Sequence, residues 1–559
     1  MISIGILDKK YRHIKRLREI LIVFVSYGFG ELLSSLELGP HLKFLAKKIT
    51  GEEYKKVEKY NRWERLRMAF QELGPTFIKF GQIMSNRPDL LPPELLSELK
   101  KFQDSVPPFD SEEALRIIEE DLGKPADQLF VDFENEPIAA ASIAQVHRAK
   151  LSNNEKVAIK IRRPGIEKKI YADLEIMREL AELIEERIDA ASLYRPVKII
   201  DEFESNIRNE LDMRVEASHI KRFETNFQED KNIHVPRIYG ELTGKQVLTM
   251  EYIDGVKAGE VNQSQELDGK FLADIGANCL LKQIFEHGFF HADPHPGNLF
   301  FMKGNVICFI DYGIMGRLDI EQREKLEDLL LAIANRDPGK ATQAVLKLSE
   351  HKDVDERELE GEMEYFFNKY SYLSLEEFKF SEYISDITRS LVKHRVYLPS
   401  EYFMLIKSLI TIEGVARQLN PDFNVVDAIR PYAEKILKQK YSISGILKRA
   451  GNALAETASI LRTLPGDLDK LVKNIVEGEV KINLKHRGLD SLTRKLDQAS
   501  NRVAYAIVLA ALIIGSSLLV LADIPPHWHE MPIIGIIGFV GAAVMGFWLL
   551  LSILRHGKM

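Results

Sequence analysis

An aspartate and an asparagine five residues apart, a short hairpin, and a second aspartate just after it constrain this 559-residue chain more than any other stretch. The segment reads His291-Ala292-Asp293-Pro294-His295-Pro296-Gly297-Asn298. Two apolar runs follow, Leu299 to Phe301 and Val306 to Ile310, and then Asp311-Tyr312-Gly313. Gly304-Asn305 between the runs predicts a hairpin turn. Hard oxygen ligands hold Mg²⁺, and a carboxylate beside them can accept a proton from an attacking hydroxyl or water, or orient it. Asn298 and Asp311 are therefore the candidate metal ligands and Asp293 the candidate catalytic group. Taken singly, each Asp reads better as a turn residue on a surface hairpin; only together with an upstream lysine does the phosphate site prevail.

A lysine upstream completes the pattern. Val146 to Lys150 and Lys156 to Ile161 read as strands around an Asn153-Asn154 turn, the second carrying Val157-Ala158-Ile159-Lys160. Ahead of them lie a predicted strand from Leu129 to Phe133 and a small-residue loop from Pro137 to Gln145. Strand, loop, strand, turn and a strand-borne lysine is the order in which a protein-kinase small lobe covers ATP, the lysine on the α and β phosphates. The usual glycines are missing. Ala139, Ala140, Ala141 and Ser142 stand in their place, without the positive-φ freedom of glycine. Ile233 to Tyr239 and Gln246 to Tyr252 are predicted as strands joined through Gly244. Leu248 to Gly255, with Met250 and Tyr252, resembles the kinase hinge whose backbone binds adenine, or else is a buried edge strand.

Asp201 to Phe227 is one long helical pattern. On a continuous helix, turning about 100° per residue, Asp212 and Glu216 share a face and Glu210 points about 120° away from Glu216. One carboxylate can then pair with Lys160 while another meets a different cation. Within Arg65 to Asp104, Gly74-Pro75 punctuates a helix and Pro92-Pro93 opens the next. Lys79 and Gln82 share one face among apolar neighbours, a pattern that also suits a snorkelling lysine. The largely apolar run from His394 to Glu413 reads as large-lobe core.

The net charge of −7 gives no reason to propose nucleic acid as a partner. Cys279 and Cys308, the only cysteines, can build neither a disulfide scaffold nor a zinc cluster and suit buried thiols. The basic cluster Lys9, Lys10, Arg12, Lys15, Arg16 and Arg18 precedes an apolar run, with no cleavable signal pattern. Such a helix rests on an anionic membrane surface or docks on the protein itself. Val503 to Ala522 and Pro532 to Leu554 carry no charge, and twenty helical residues rise about 30 Å, enough to cross a bilayer. Their link, Asp523 to Met531, has no Lys or Arg, whereas Arg494, Lys495, Arg502, Arg555 and Lys558 lie outside the pair. Both ends are thus expected in the cytoplasm. Gly515, Gly538, Gly541 and Gly546 are expected to let the two helices pack closely, and Ile443 to Arg502 to form helical arms.

Together these motifs resemble the UbiB family of atypical kinase-like proteins tied to ubiquinone biosynthesis. The likeness spans nearly the whole chain: Lys79-Phe80-Gly81-Gln82, Ala139 to Ser142, the strand ending at Lys160, Glu210-Leu211-Asp212, the stretch from His291 to Asn298, and Asp311-Tyr312-Gly313. It implies an α+β, atypical bilobal protein-kinase-like fold with a helical N-terminal extension (1–110) folded over the active site. The small lobe is expected at 111–255, the large lobe at 256–440, a juxtamembrane region at 441–502 and a transmembrane helix hairpin at 503–559. The resemblance further implies that Lys79 pairs with Glu210 and Asp212, and Glu216 with Lys160. It implies an alanine-rich loop that suppresses ordinary protein phosphorylation, with ATP and Mg²⁺ as cofactors. Expected partners are the bilayer, lipid-like quinone precursors and other quinone-biosynthesis enzymes. The expected place is the bacterial inner membrane, multi-pass, with the large domain cytoplasmic. Three functions remain open: a membrane-anchored ATPase or small-molecule kinase, a Ser/Thr protein kinase, and a non-catalytic nucleotide-sensing scaffold.

Overall fold

The N-terminal helices among the described residues are α1 (Ile2–Ser26), α2 (Arg62–Leu73), α3 (Pro75–Met84) and α4 (Pro93–Leu99). The computed structural model describes residues 2–30, 59–442 except 86, 103–106, 188–194, 262, 263, 265, 352, 353 and 372–379, and 489–556 except 523, 524, 529 and 530. The arms expected between Ile443 and Arg502 therefore lie largely outside the described residues. Two compact units are present, Met1–Leu447 and Lys448–Met559.

Of the two readings of the basic N-terminal helix, the structure adopts docking on the protein. Ile20, Leu21 and Val23 of α1 are buried. The Arg16 guanidinium donates to Asp173 at 2.6 Å and to the Leu73 carbonyl at 2.8 Å. The Asn61 side chain caps α2, and Gly74, at φ 98°, turns the chain directly into α3 with Pro75 in its first turn.

After α5 (Ser111–Leu122), whose end is set by Gly123 in a left-handed conformation, comes the small lobe. Its antiparallel sheet runs β1 (Asp132–Phe133), β3 (Ala144–Lys150), β4 (Lys156–Arg162) and β6 (Val247–Glu251), with β2 (Ala139–Ala140) beside β3. The strand expected at Leu129 to Phe133 is only β1, because Ala126–Leu129 closes a helical turn first. Helices α6 (Ile166–Arg187), α7 (Pro196–Glu210) and α8 (Met213–Phe227) lie between β4 and β6 in sequence.

In the large lobe, β8 (Leu299–Met302) and β9 (Val306–Phe309) form the expected hairpin. Gly304 and Asn305 both take positive φ, 81° and 59°, within the three-residue loop between the paired Met302 and Val306. The pairing expected between Ile233 to Tyr239 and β6 through Gly244 is present in the second half of that segment: Ile238 bridges Met250 antiparallel and the Tyr239 N–H donates to the Thr249 carbonyl at 3.0 Å. Its first half differs, since β5 (Ile233–His234) runs parallel to β9 in the large-lobe sheet. β7 (Phe289–His291) pairs with β10 (Met315–Arg317). Behind them α9 (Gly269–Lys282) packs on α10 (Ser400–Leu419), through contacts such as Gly276 with Ile412. Cys279 and Cys308 are buried free thiols, pushed up by burial to about 12 and further.

The second unit contains α11 (Leu489–Leu521) and α12 (Ile533–His556). Among the described residues one stretch, Val503–Leu521, is long and apolar enough to cross a membrane, with mean hydropathy 2.5; the apolar stretch Ile533–Phe547 is shorter. Val503, Ile507, Ile514 and Leu518 are exposed, a face that water does not favour. A Cβ on Gly538 would collide with Ser516, and one on Gly535 would stand 2.5 Å from Val520, so these two glycines set the helix contact. Gly515 and Gly541 meet nothing within 4 Å, which corrects their expected place at that contact.

Candidate functional site

Lys160 sits mid-sheet, opposite Val146 on β3 and Leu248 on β6. Its Nζ donates to both carboxylate oxygens of Glu216 at 2.9 Å and to Asp311 Oδ1 at 3.3 Å. Glu216 lies in the first turn of α8, buried at 5% exposure, and also accepts the Tyr312 N–H at 3.3 Å. Burial works against the Lys160 ammonium, but Asp311 and Glu216 outweigh it and hold the group well above its ordinary value. Burial pushes the Glu216 carboxyl up to about 7 even against the Lys160 charge, and Asp311 adds to the rise. For Asp311, partial enclosure is opposed by Lys160, the Gly313 N–H and Lys79, which keep its carboxyl well below the usual range. Its side chain nevertheless stays 44% open.

The hairpin brings Asn298 and Asp311 to neighbouring strand ends, where the Ile310 N–H donates to the Asn298 carbonyl at 3.1 Å. The Asn298 amide nitrogen donates to the Asp293 carbonyl at 3.3 Å. Its amide oxygen accepts no hydrogen bond from any described residue. An unengaged amide oxygen beside a carboxylate held ionised fits a hard cation such as Mg²⁺. Among the described residues no three His, Cys, Asp or Glu side chains form a metal cluster. Magnesium beside nucleotide phosphates needs only one or two protein carboxylates.

His291 ties the two halves together. Its Nδ1 accepts the Asp293 N–H at 3.1 Å and its Nε2 bonds the Asp311 carbonyl. One nitrogen must accept and the other donate, so the ring is neutral, and burial lowers its pKa accordingly.

Several expected contacts fall elsewhere. Lys79 pairs with Glu210. Asp212 does not join that pair: it caps α8, accepting the Arg214 N–H at 3.1 Å, and binds the Arg214 guanidinium at 2.6 Å. The continuous helix from Asp201 to Phe227 is corrected for the same reason. The chain breaks at Leu211-Asp212, where Arg162 takes the Leu211 carbonyl and the Met213 N–H donates to Lys245 at 3.1 Å. The divergence of Glu210 and Glu216 thus comes from two helices rather than from one helix's pitch.

The hinge reading is also shifted. Met250 pairs with Ala158 inside the sheet, and the Tyr252 N–H already donates to Lys156 at 3.1 Å. Neither backbone N–H is open to a base; the first N–H beyond β6 with no described partner is that of Ile253. A strand's hydrogen bonds alternate, and only its register shows which residues are spent on the sheet.

The alanine stretch is a tight hairpin, Ala139 opposite Val146 and Ala140 opposite Gln145, closed by the Ala141 N–H on the Ala144 carbonyl at 2.8 Å. Ala139 to Ala141 remain reachable, whereas Ser142 is buried at 1% exposure.

Gly81 explains its own presence in α3: a Cβ there would collide with the Phe102 ring. Lys79, Gln82 and Asp293 line a cavity of about 470 Å³ walled by Ile83, Leu99, Phe102, Ile314, Phe403 and Ile406. Sequence reasoning missed the two polar residues that α10 brings here. Lys407 Nζ lies 2.9 Å from Asp293 Oδ2, and Ser408 Oγ donates to the His291 carbonyl at 2.6 Å. The available signal was a Lys-Ser pair inside Tyr402-Phe403-Met404-Leu405-Ile406-Lys407-Ser408-Leu409-Ile410.

A strand lysine clamped by a helix carboxylate, facing an Asn/Asp pair across a hairpin, defines a bilobal kinase-like protein. The comparisons agree with that class. Residues 101–345 match the ABC1 atypical kinase-like domain, 363–424 the UbiB helical domain, and 487–555 the ABC1/UbiB kinase-like C-terminal domain. An uncharacterized protein in the hydrogenase 1 5′ region of Clostridium pasteurianum is 35% identical over 552 residues, 97% of this chain and 99% of that one. The "Probable protein kinase UbiB" of Marinobacter nauticus is 34% identical over 448 residues, 79% of this chain and 82% of that one. A solved Mycobacterium tuberculosis protein, Rv3197, in complex with erythromycin aligns with TM-score 0.45 and 21% identity, covering 63% of this chain and 90% of that one. The chain belongs to the ABC1/UbiB family of atypical kinase-like proteins.

Proposed function

We propose that the protein is a membrane-anchored ATPase or small-molecule kinase that binds Mg-ATP and supports isoprenoid quinone biosynthesis. In this role it acts on or extracts lipid-like precursors, or organises the enzymes that process them. The observation that carries the reading is Lys160 bridging Glu216 and Asp311. Such a clamp points one fixed ammonium at a cleft that also presents Asn298 and Asp311. Lys160 positions phosphates, Asn298 and Asp311 hold Mg²⁺, and Asp293 orients the attacking hydroxyl or water. Mg²⁺, when bound, neutralises phosphate charge.

The lipid-like acceptor is supported by the cavity, whose walls are largely apolar and whose polar end holds Asp293. Family membership supports the quinone assignment, and the exposed apolar face of Val503–Leu521 supports the membrane. We read α11 and α12 as a hairpin in a bacterial inner membrane with the larger unit in the cytoplasm, because the flanks are basic and the link is not.

Titration of the liposome-bound protein with ATP, with and without Mg²⁺, is the direct test. Asp311→Asn is expected to remove Mg²⁺-dependent ATP binding, by about 100-fold or more. ATP affinity that ignores both Mg²⁺ and this substitution would sink the reading. Nucleotide binding without turnover would leave the scaffold in its place, and phosphorylated peptides in a screen would favour the protein kinase.

A further inference from the structure

We propose that Lys407 is the phosphate-facing cation of the cleft: it pairs with Asp293 and contacts the terminal phosphate of bound ATP. The proposal rests on reading the cleft as an ATP site.

Four observations meet on this residue. First, its Nζ lies 2.9 Å from Asp293 Oδ2, with each side chain about three-quarters buried, at 27% and 28% exposure. Second, the adjoining Ser408 is fully buried and donates to the carbonyl of His291, two residues before Asp293. The helix is thus fixed against the catalytic strand, and Lys407 is aimed by the fold rather than sampling solvent. Third, from Asp293 to Asn298 the chain carries no Lys or Arg. A phosphoryl group passing beside Asp293 brings negative charge next to a carboxylate, and the loop itself carries no lysine or arginine beside that carboxylate. Fourth, Lys160 is already shared between Glu216 and Asp311 on the nucleotide side. Lys407 is the cation that touches Asp293 itself, and it lines the same cavity as Lys79 and Asp293.

The consequence is a division of labour between lobes and helices. A strand lysine serves the inner phosphates, and a lysine arriving from α10 serves the outermost one. A lysine in that second role distinguishes ATP from ADP, because only ATP carries the group it meets. A helix staple that merely ties α10 to the loop makes no such distinction.

The test measures Kd for Mg-ATP and Mg-ADP calorimetrically on the full chain in liposomes, comparing the parent with Lys407→Gln, Lys407→Met and Lys407→Arg. The Gln and Met variants are expected to weaken ATP about fivefold or more while moving ADP by less than about twofold; Arg retains the ATP preference. Met keeps the apolar stem, so it serves if Gln disturbs folding. ATP and ADP weakening together, or neither moving, overturns the proposal and leaves Lys407 a staple. A parent that binds neither nucleotide overturns the ATP reading itself, and this inference falls with it.

Discussion

The two walls of the cleft are built differently. On the nucleotide side Lys160 and Glu216 are 15% and 6% exposed, and their partners sit on β4, on α8 and just after β9. On the acceptor side Asp293 and Lys407 are 28% and 27% exposed, beside an apolar cavity, with contributions from α3 and α10. Both walls are assembled from segments distant in sequence; the first is more buried and charge-dense, the second more open. Substitutions on the nucleotide side should therefore damage folding and binding together. Those on the acceptor side should separate the two.

The largest expected effect follows from Lys160→Met. It leaves Glu216 buried without its cation and beside the Asp311 carboxylate, a loss of about 3–5 kcal/mol on breaking a buried pair. Chemical denaturation should show that drop, and ATP binding should vanish with it. A variant of parental stability would mean that the clamp is not the buried, charge-dense wall described. Gly81→Ala tests the opposite wall. The new methyl group meets the Phe102 ring, and overpacking of this kind costs about 1–3 kcal/mol. The loss should appear in the docking of α3, read by proteolysis or hydrogen exchange, while ATP affinity holds. Equal losses in ATP affinity would erase the contrast between the walls.

The same contrast governs what the sequence disclosed. Asp293, Asn298 and Asp311 were legible because one hairpin joins them, and its Gly304-Asn305 turn has a local backbone reason. Lys160 was legible from its strand. Lys407 was not, because nothing local ties a helix residue to a loop more than a hundred positions earlier. Asp212 was misplaced because polarity ran unbroken across Leu211, while the actual break is stabilised by Arg162 and Lys245 from elsewhere. Hinge donors were misjudged at Met250 and Tyr252 because composition marks a strand but not its register. Likewise β5 joined β9 rather than β6, since short strands declare no partner.

The smallest expected effect concerns protons, and it sets the small lobe against the cleft. His147 is fully buried; one ring nitrogen bonds the Glu134 carbonyl and the other the Gln145 side chain, each at 2.8 Å. His291 likewise spans the Asp293 N–H and the Asp311 carbonyl. Burial lowers the pKa of both rings, against the pull of the Glu134 carbonyl at His147 and of Asp311 and Asp293 at His291. The unfolded chain therefore takes up these protons first. The stabilisation is whole above the ordinary histidine value, about 6.5, and is lost as pH falls from there toward the depressed values. Each ring contributes a slope of at most about 1.4 kcal/mol per pH unit. Glu216, raised to about 7, works the opposite way in this window, so the histidine contribution is read as a difference: in thermal unfolding between pH 7.5 and 5.5 the parent should lose Tm relative to His147→Gln, with unchanged ATP affinity. His291→Gln should show the same difference, but it should weaken Mg-ATP binding as well, because that ring orients the backbone of both Asp293 and Asp311. If the two variants behaved alike toward ATP, His291 would be packing, and the two walls would not be joined through it.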